Sequence, residues 1–168
     1  MAASSAGRLR SLDTFLPEHE FGARYELAID ADAAAADRAV REVTFREVPV
    51  VRALLLLRGL GRGRGDEPVV AGMRRLGTVL ADVPGEGLVL AVRGRFWRLR
   101  GGGDEPAATA VVDFRASDGR LTTETRIHVP AGVSRRRFAR YWRVVGPFSG
   151  VIRKHLLRAA RRRAEERL

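Results

Sequence analysis

The chain contains no cysteine. That absence removes disulfides, zinc clusters and thiol nucleophiles from its chemistry, and it fits a cytoplasmic protein. Its three histidines, His19, His128 and His155, have no metal-ligand spacing, so neither a metal nor another cofactor is expected. No Gly-x-Ser-x-Gly nucleophile motif occurs. The glycine-rich stretch 59–68 has no strand leading into it and no Gly-Lys-Ser/Thr after it, and Pro68 interrupts the helix that a phosphate loop would need. Long apolar runs are missing too. The opening residues lack the hydrophobic region of a secretory signal. The longest apolar stretch, 48–57, contains Pro49 and Arg52 and is far short of a bilayer span. These absences lead to the expectation of a soluble, cytoplasmic protein.

Lysine is nearly missing. Thirty of the 31 basic residues are arginine, and Lys154 is the exception. Together with the excess of Ala, Gly and Leu, this looks like a high-GC bacterial genome, so part of the arginine content reflects codon usage. Acidic residues are scarce only at the C-terminal end. Residues 134–168 hold twelve basic side chains against two acidic ones, a net of +10, while the preceding 133 residues hold nineteen against eighteen. The charge is therefore a property of one segment. With 168 residues, 45% of them apolar, one domain able to bury about two-thirds of its unfolded surface is expected.

Residues 1–20 read as a flexible tail ending at Leu16-Pro17, and 21–168 as the single domain. Arg24–Ala31 alternates as a strand, with Tyr25, Leu27 and Ile29 on one face. Asp32 can cap a helix through the following alanines. A second short helix fits Val50–Arg58, with Pro49 in its first turn and Gly59 as its stop. From Met73 the pattern turns to strands. MRRLGTVLADV and LVLAVRG form a hairpin around Pro84–Gly87, and RFWRLR (95–100) suggests a further strand. Ala108–Ala116 presents Ala110, Val112 and Phe114 on one side. Asp118-Gly119 marks a tight turn into Leu121–Val129.

The last strand has two unlike faces. Thr122, Glu124, Arg126 and His128 share the polar one. Leu121, Thr123, Thr125, Ile127 and Val129 share the more apolar one, which is expected to face the core. Pointed into a cavity, the polar stripe offers an arginine for an anionic headgroup and Glu and His for proton transfer. Pointed outward, it is a solvated ion pair of small worth.

Ser134 is a candidate N-cap for a long amphipathic helix. Phe138, Tyr141, Trp142, Val145, Phe148, Ile152, Leu156 and Ala160 follow helical spacing on one side. Arg136, Arg140, Arg143, Lys154, Arg158 and Arg161 fall on the other. Pro147 either kinks this helix or divides it in two at Gly146-Pro147, with Ser149 capping the second part.

The order of strand, two short helices, a run of strands and a long C-terminal helix resembles the helix-grip fold of the START-like (SRPBCC) superfamily. LTTETRIHV followed by RFARYWRVVGPFSGVIRKHLLRAA is similar to an uncharacterised bacterial branch, as are GRFWRL and FLPEHEF. The resemblance implies an α+β fold in which a curved antiparallel sheet wraps around the C-terminal helix. It also implies a cavity for lipids, polyketides or other hydrophobic molecules, with no catalytic residue to carry over. On that reading Phe96, Trp97, Phe114, Tyr141 and Trp142 line a hydrophobic ligand, with Glu124 and Arg126 as orienting groups. A second reading assigns the arginine stripe to an anionic partner: an acidic membrane, or nucleic acid, which is disfavoured because the stripe lacks aromatics for base stacking. A third, an enzyme of the polyketide cyclase or aromatase kind, rests on fold analogy alone.

Overall fold

The computed structural model describes residues 8–57, 64–95, 107–131 and 135–166. In chain order these form α1 (Leu12–Phe15), β1 (Phe21–Ala28), α2 (Ala33–Glu42), α3 (Pro49–Leu57), α4 (Val69–Leu76), β2 (Thr78–Val83), β3 (Gly87–Gly94), β4 (Ala108–Ser117), β5 (Arg120–His128) and α5 (Arg135–Glu165). The expected strand over 95–100, the Gly59 stop and the Ser134 cap fall wholly or largely outside the described residues.

The class is α+β. A curved, five-stranded antiparallel sheet in the order β1-β5-β4-β3-β2 packs against α5, a helix-grip-like arrangement. Local chemistry accounts for several boundaries. The Asp32 carboxylate accepts the Ala35 N–H at 2.7 Å and caps α2. Gly119 adopts φ of 73° in the β4–β5 turn, a conformation that costs a side-chain-bearing residue more than glycine. α2 and α3 are the two short helices expected after the first strand. A third, α4, precedes the sheet run, so the strand expected from Met73 begins at Thr78. The segment VVAGMRRL is short enough for its apolar residues to suit either period.

Register divides the sheet cleanly. Tyr25 and Leu27 of β1, Leu121, Thr123, Thr125 and Ile127 of β5, Val112 and Phe114 of β4, and Leu88 and Leu90 of β3 share the face toward α5. Glu124, Arg126 and His128 therefore point away from the helix. Leu156, Leu157, Ala159, Ala160 and Ala164 of α5 complete the main core with α2 and α3. A smaller cluster at the other end of the helix joins Phe138, Ile127, Val129 and Ala108, with Phe21, Tyr141 and Trp142 packed on it. α5 continues through Pro147 as one helix of 31 residues, packed against the sheet, α2 and α3. Phe148, expected inside, is 48% exposed.

The outer face of the sheet is covered as well, and this corrects the expectation of a tail. Leu9 and Leu12 pack on Val89 and Val111, and Leu12 is only 2% exposed. Arg115 donates to the carbonyls of Leu9 and Arg10. Arg126 donates to Asp13 at 2.5 Å and to Glu124 at 2.7 Å, and Leu9 N–H reaches Glu86 at 2.6 Å. Glu20 accepts the Val129 N–H at 2.8 Å and pairs with Arg135 at 3.1 Å. Residues 8–20 thus form a strap rather than a loose end.

The far end of α5 is tied down by charge. Arg163 contacts Glu47 at 2.9 Å and Glu42 at 3.4 Å. Burial pushes the Glu47 carboxyl up, but Arg163 and the Thr44 N–H and hydroxyl outweigh it, and its pKa falls to about 2.

Candidate functional site

The two apolar clusters under α5 do not merge. Between them runs a row across the sheet, Ala23–Thr125–Val112–Leu90, set by strand register. Above that row stands Arg153 of α5, 4% exposed. Its Nε–H donates to the Ser149 carbonyl at 3.3 Å, one terminal nitrogen donates to Ser149 Oγ at 3.0 Å, and the other donates to Thr125 Oγ1. The guanidinium carbon lies 5.3 Å from the centre of the Tyr25 ring. Gly150 gives Tyr25 room here: a Cβ at this position would overlap its phenol oxygen.

Every one of these partners is neutral. An arginine has five N–H donors, and three are used, leaving one on each terminal nitrogen. Among the described residues no carboxylate stands within ion-pair distance of Arg153. Burial holds its pKa below the usual arginine range, with Tyr25 and Asp113 pulling more weakly the other way. The group nevertheless stays ionised, so the cost of desolvating the charge falls on the fold. The guanidinium is thus buried among hydroxyls and a carbonyl, with two N–H donors to spare.

The apolar surface beside it is incompletely covered. β4 is the central strand, yet its helix-facing Ala110 and Val112 remain partly exposed, as does Val92 beside them on β3. Phe114, further along the same face, is buried. Ile152 and Leu55 are also only partly buried against this core. Ala110, Val112 and Val92 share the sheet face of Thr125, to which Arg153 donates.

The residues expected to form a site are scattered by this geometry. Tyr141 and Trp142 do lie between sheet and helix, half-buried in the smaller cluster with Phe21 and Phe138. Phe114 is filled core. Phe96 and Trp97 lie outside the described residues. Glu124 and Arg126 are on the opposite face from α5, engaged with the strap, so neither orients a ligand under the helix. His128 stands there too, with Nδ1 3.5 Å from Glu20 in a contact without hydrogen-bond geometry. Arg136, Arg140, Arg143, Lys154, Arg158 and Arg161 are exposed as expected, and Arg161 faces Glu165 at 3.7 Å.

Sequence reasoning missed Arg153. The signal was available: Arg153 is four residues after Ser149 and three before Leu156, on the stripe of Phe138, Trp142 and Ala160. A positive charge at a core position of an amphipathic helix is what should have singled it out.

Two open depressions elsewhere carry less. One, on the β1 edge, is lined by His19, Glu20, Arg24, Glu124 and Arg126. The other lies between α2 and the β2–β3 turn, where Arg41 bridges Asp37 at 2.8 Å and Asp82 at 2.7 Å. In the second, the central charges already neutralise one another. Among the described residues no cluster of His, Asp and Glu could hold a metal, and no helix is long and apolar enough to cross a membrane.

No protein-family model matches the chain, and no curated protein matches it in sequence.

Proposed function

We propose that this protein binds an amphiphilic small molecule, a hydrophobic chain or ring system bearing one negative group, between the sheet and α5. The START-like resemblance of the sequence leads to the same place, since that superfamily holds hydrophobic ligands between sheet and C-terminal helix. The single observation that carries the reading is Arg153, a buried guanidinium with neutral partners only, donating to a sheet face on which Ala110, Val112 and Val92 are partly exposed. A carboxylate or phosphate there would take up the two spare N–H groups and offset the buried charge. Tyr25 and Ser149 hydroxyls flank the position and can hydrogen-bond the same group.

A catalytic reading has less support. Glu124 and His128, the pair with acid–base chemistry, stand on the far side of the sheet from Arg153. Binding without a reaction is the function the geometry favours.

The test is native mass spectrometry of protein purified gently from a bacterial host, followed by release and analysis of any bound molecule. A stoichiometric adduct that is lost on denaturation and carries an acidic group supports the proposal. An empty protein that is also not stabilised by a series of fatty acids overturns it.

A further inference from the structure

The face of α5 turned away from the sheet is not uniformly charged. Val144 is 63% exposed, Phe148 48% and Val151 37%. These three residues, spaced by four and three, form one short apolar ridge along the helix. Arg140, Arg143 and Arg158 are exposed on its border, and Arg136 extends the same flank toward the start of the helix; Lys154, also exposed, turns its ammonium over the Tyr25 ring at 5.0 Å. Among the described residues none of these five cations has an acidic partner within ion-pair distance. The ordinary reason for a phenylalanine and two valines on a helix, contact with the core, does not apply here, because the core contacts of α5 are made by Phe138, Leu156 and Leu157 on another side.

We infer that this face docks the protein onto an anionic lipid surface. Thirty-one helical residues span about 45 Å, enough for one face to lie along a bilayer interface. The arginines would meet lipid phosphates, and the ridge would enter the boundary between headgroups and acyl chains. Charge alone would suit any polyanion. The ridge is what selects lipid, since nucleic-acid phosphates offer nothing for two exposed valines to enter. The surface is separate from the Arg153 site and stands or falls without it, although a protein that carries an amphiphile must meet a membrane to load it.

The experiment is co-sedimentation with vesicles of phosphatidylcholine alone and of phosphatidylcholine containing phosphatidylglycerol. Wild-type protein is expected to sediment with the anionic vesicles only. The Val144→Ser/Phe148→Ser variant keeps every charge and removes most of the ridge, and it is expected to bind at least about tenfold more weakly. Arg140→Glu/Arg158→Glu is expected to abolish sedimentation. Both substitute exposed positions, and an unchanged melting temperature checks that each variant is folded. Equal binding by the Val144→Ser/Phe148→Ser variant, or no selectivity for anionic vesicles, overturns the inference. So does preferential, salt-sensitive binding to duplex DNA or RNA that the serine substitutions leave unchanged.

Discussion

The phenol oxygen of Tyr25 abuts the backbone of α5 at Gly150, so closely that the helix can carry no side chain there. This contact sets the distance between β1 and α5 beside Arg153. In an exposed helix, replacing glycine by alanine stabilises by up to about 1 kcal/mol. Here Gly150→Ala is expected to destabilise by about 1–2 kcal/mol through overpacking, and Tyr25→Phe in the same chain should recover part of the loss. Chemical denaturation of the two single variants and the double variant measures both effects.

Leu12 is expected to behave as a core residue. Leu12→Ala should cost about 2–4 kcal/mol, the range for a buried leucine, because it empties the space between α1 and the outer face of the sheet. Arg126→Ala should loosen the same strap by removing the contacts with Asp13 and Leu16, seen as faster proteolysis within residues 8–20. A chain whose first twenty residues are a tail would show neither effect.

Acid should release the far end of α5 through Glu47. The folded-state pKa is about 2 against an ordinary value of 4.5. A carboxylate depressed in this way contributes stability that is complete above the ordinary value and lost as pH falls toward the folded one. The melting temperature of wild type should therefore drop between about pH 4.5 and about 2. Glu47→Gln should be less stable at neutral pH by about 1 kcal/mol, given the partial exposure of the pair. That difference should shrink through the acid range. A constant difference across it would mean that Glu47 does not hold Arg163 as a carboxylate.

Glu124→Gln separates the two faces of the sheet. Glu124 pairs with Arg126 under the strap and lies on the far face from Thr125 and Arg153. The substitution is expected to change stability by no more than about 1 kcal/mol and to leave amphiphile binding unaltered, as read by fluorescent-probe displacement.

Much of this architecture was legible from period and turn chemistry. The alternation of LTTETRIHV already separated the core-facing threonines from the Glu124–Arg126–His128 stripe, and Asp118-Gly119 marked the β4–β5 turn. What stayed hidden depended on partners distant in sequence. Leu9, Leu12, Phe15 and Leu16 fit neither a helix nor a strand of useful length, and only Val89 and Val111 across the sheet give them a place. Phe148 is drawn into the inner stripe by its spacing from Val145 and Ile152, yet the exposed Val144 and Val151 stand at the same spacings from it, and it lies with them on the side turned from the sheet. Arg153 was obscured by the abundance of arginine around it. In a chain with thirty arginines, the one that matters is distinguished by its position on the wheel and not by its type.

The most direct measurement is a paired titration of wild type and Arg153→Met with a long-chain fatty acid and the primary alcohol of the same chain length. Methionine fills similar space without a charge, so the ligand-free variant should be as stable as wild type or more stable by up to about 2 kcal/mol. Wild type should prefer the acid to the alcohol by roughly tenfold or more, the worth of a charge-assisted hydrogen bond. Arg153→Met should lose that preference while still binding the alcohol. If wild type binds neither ligand, or binds both equally, and Arg153→Met is simply less stable, then Arg153 is a structural cross-link between α5 and β5 and the proposed site is contradicted.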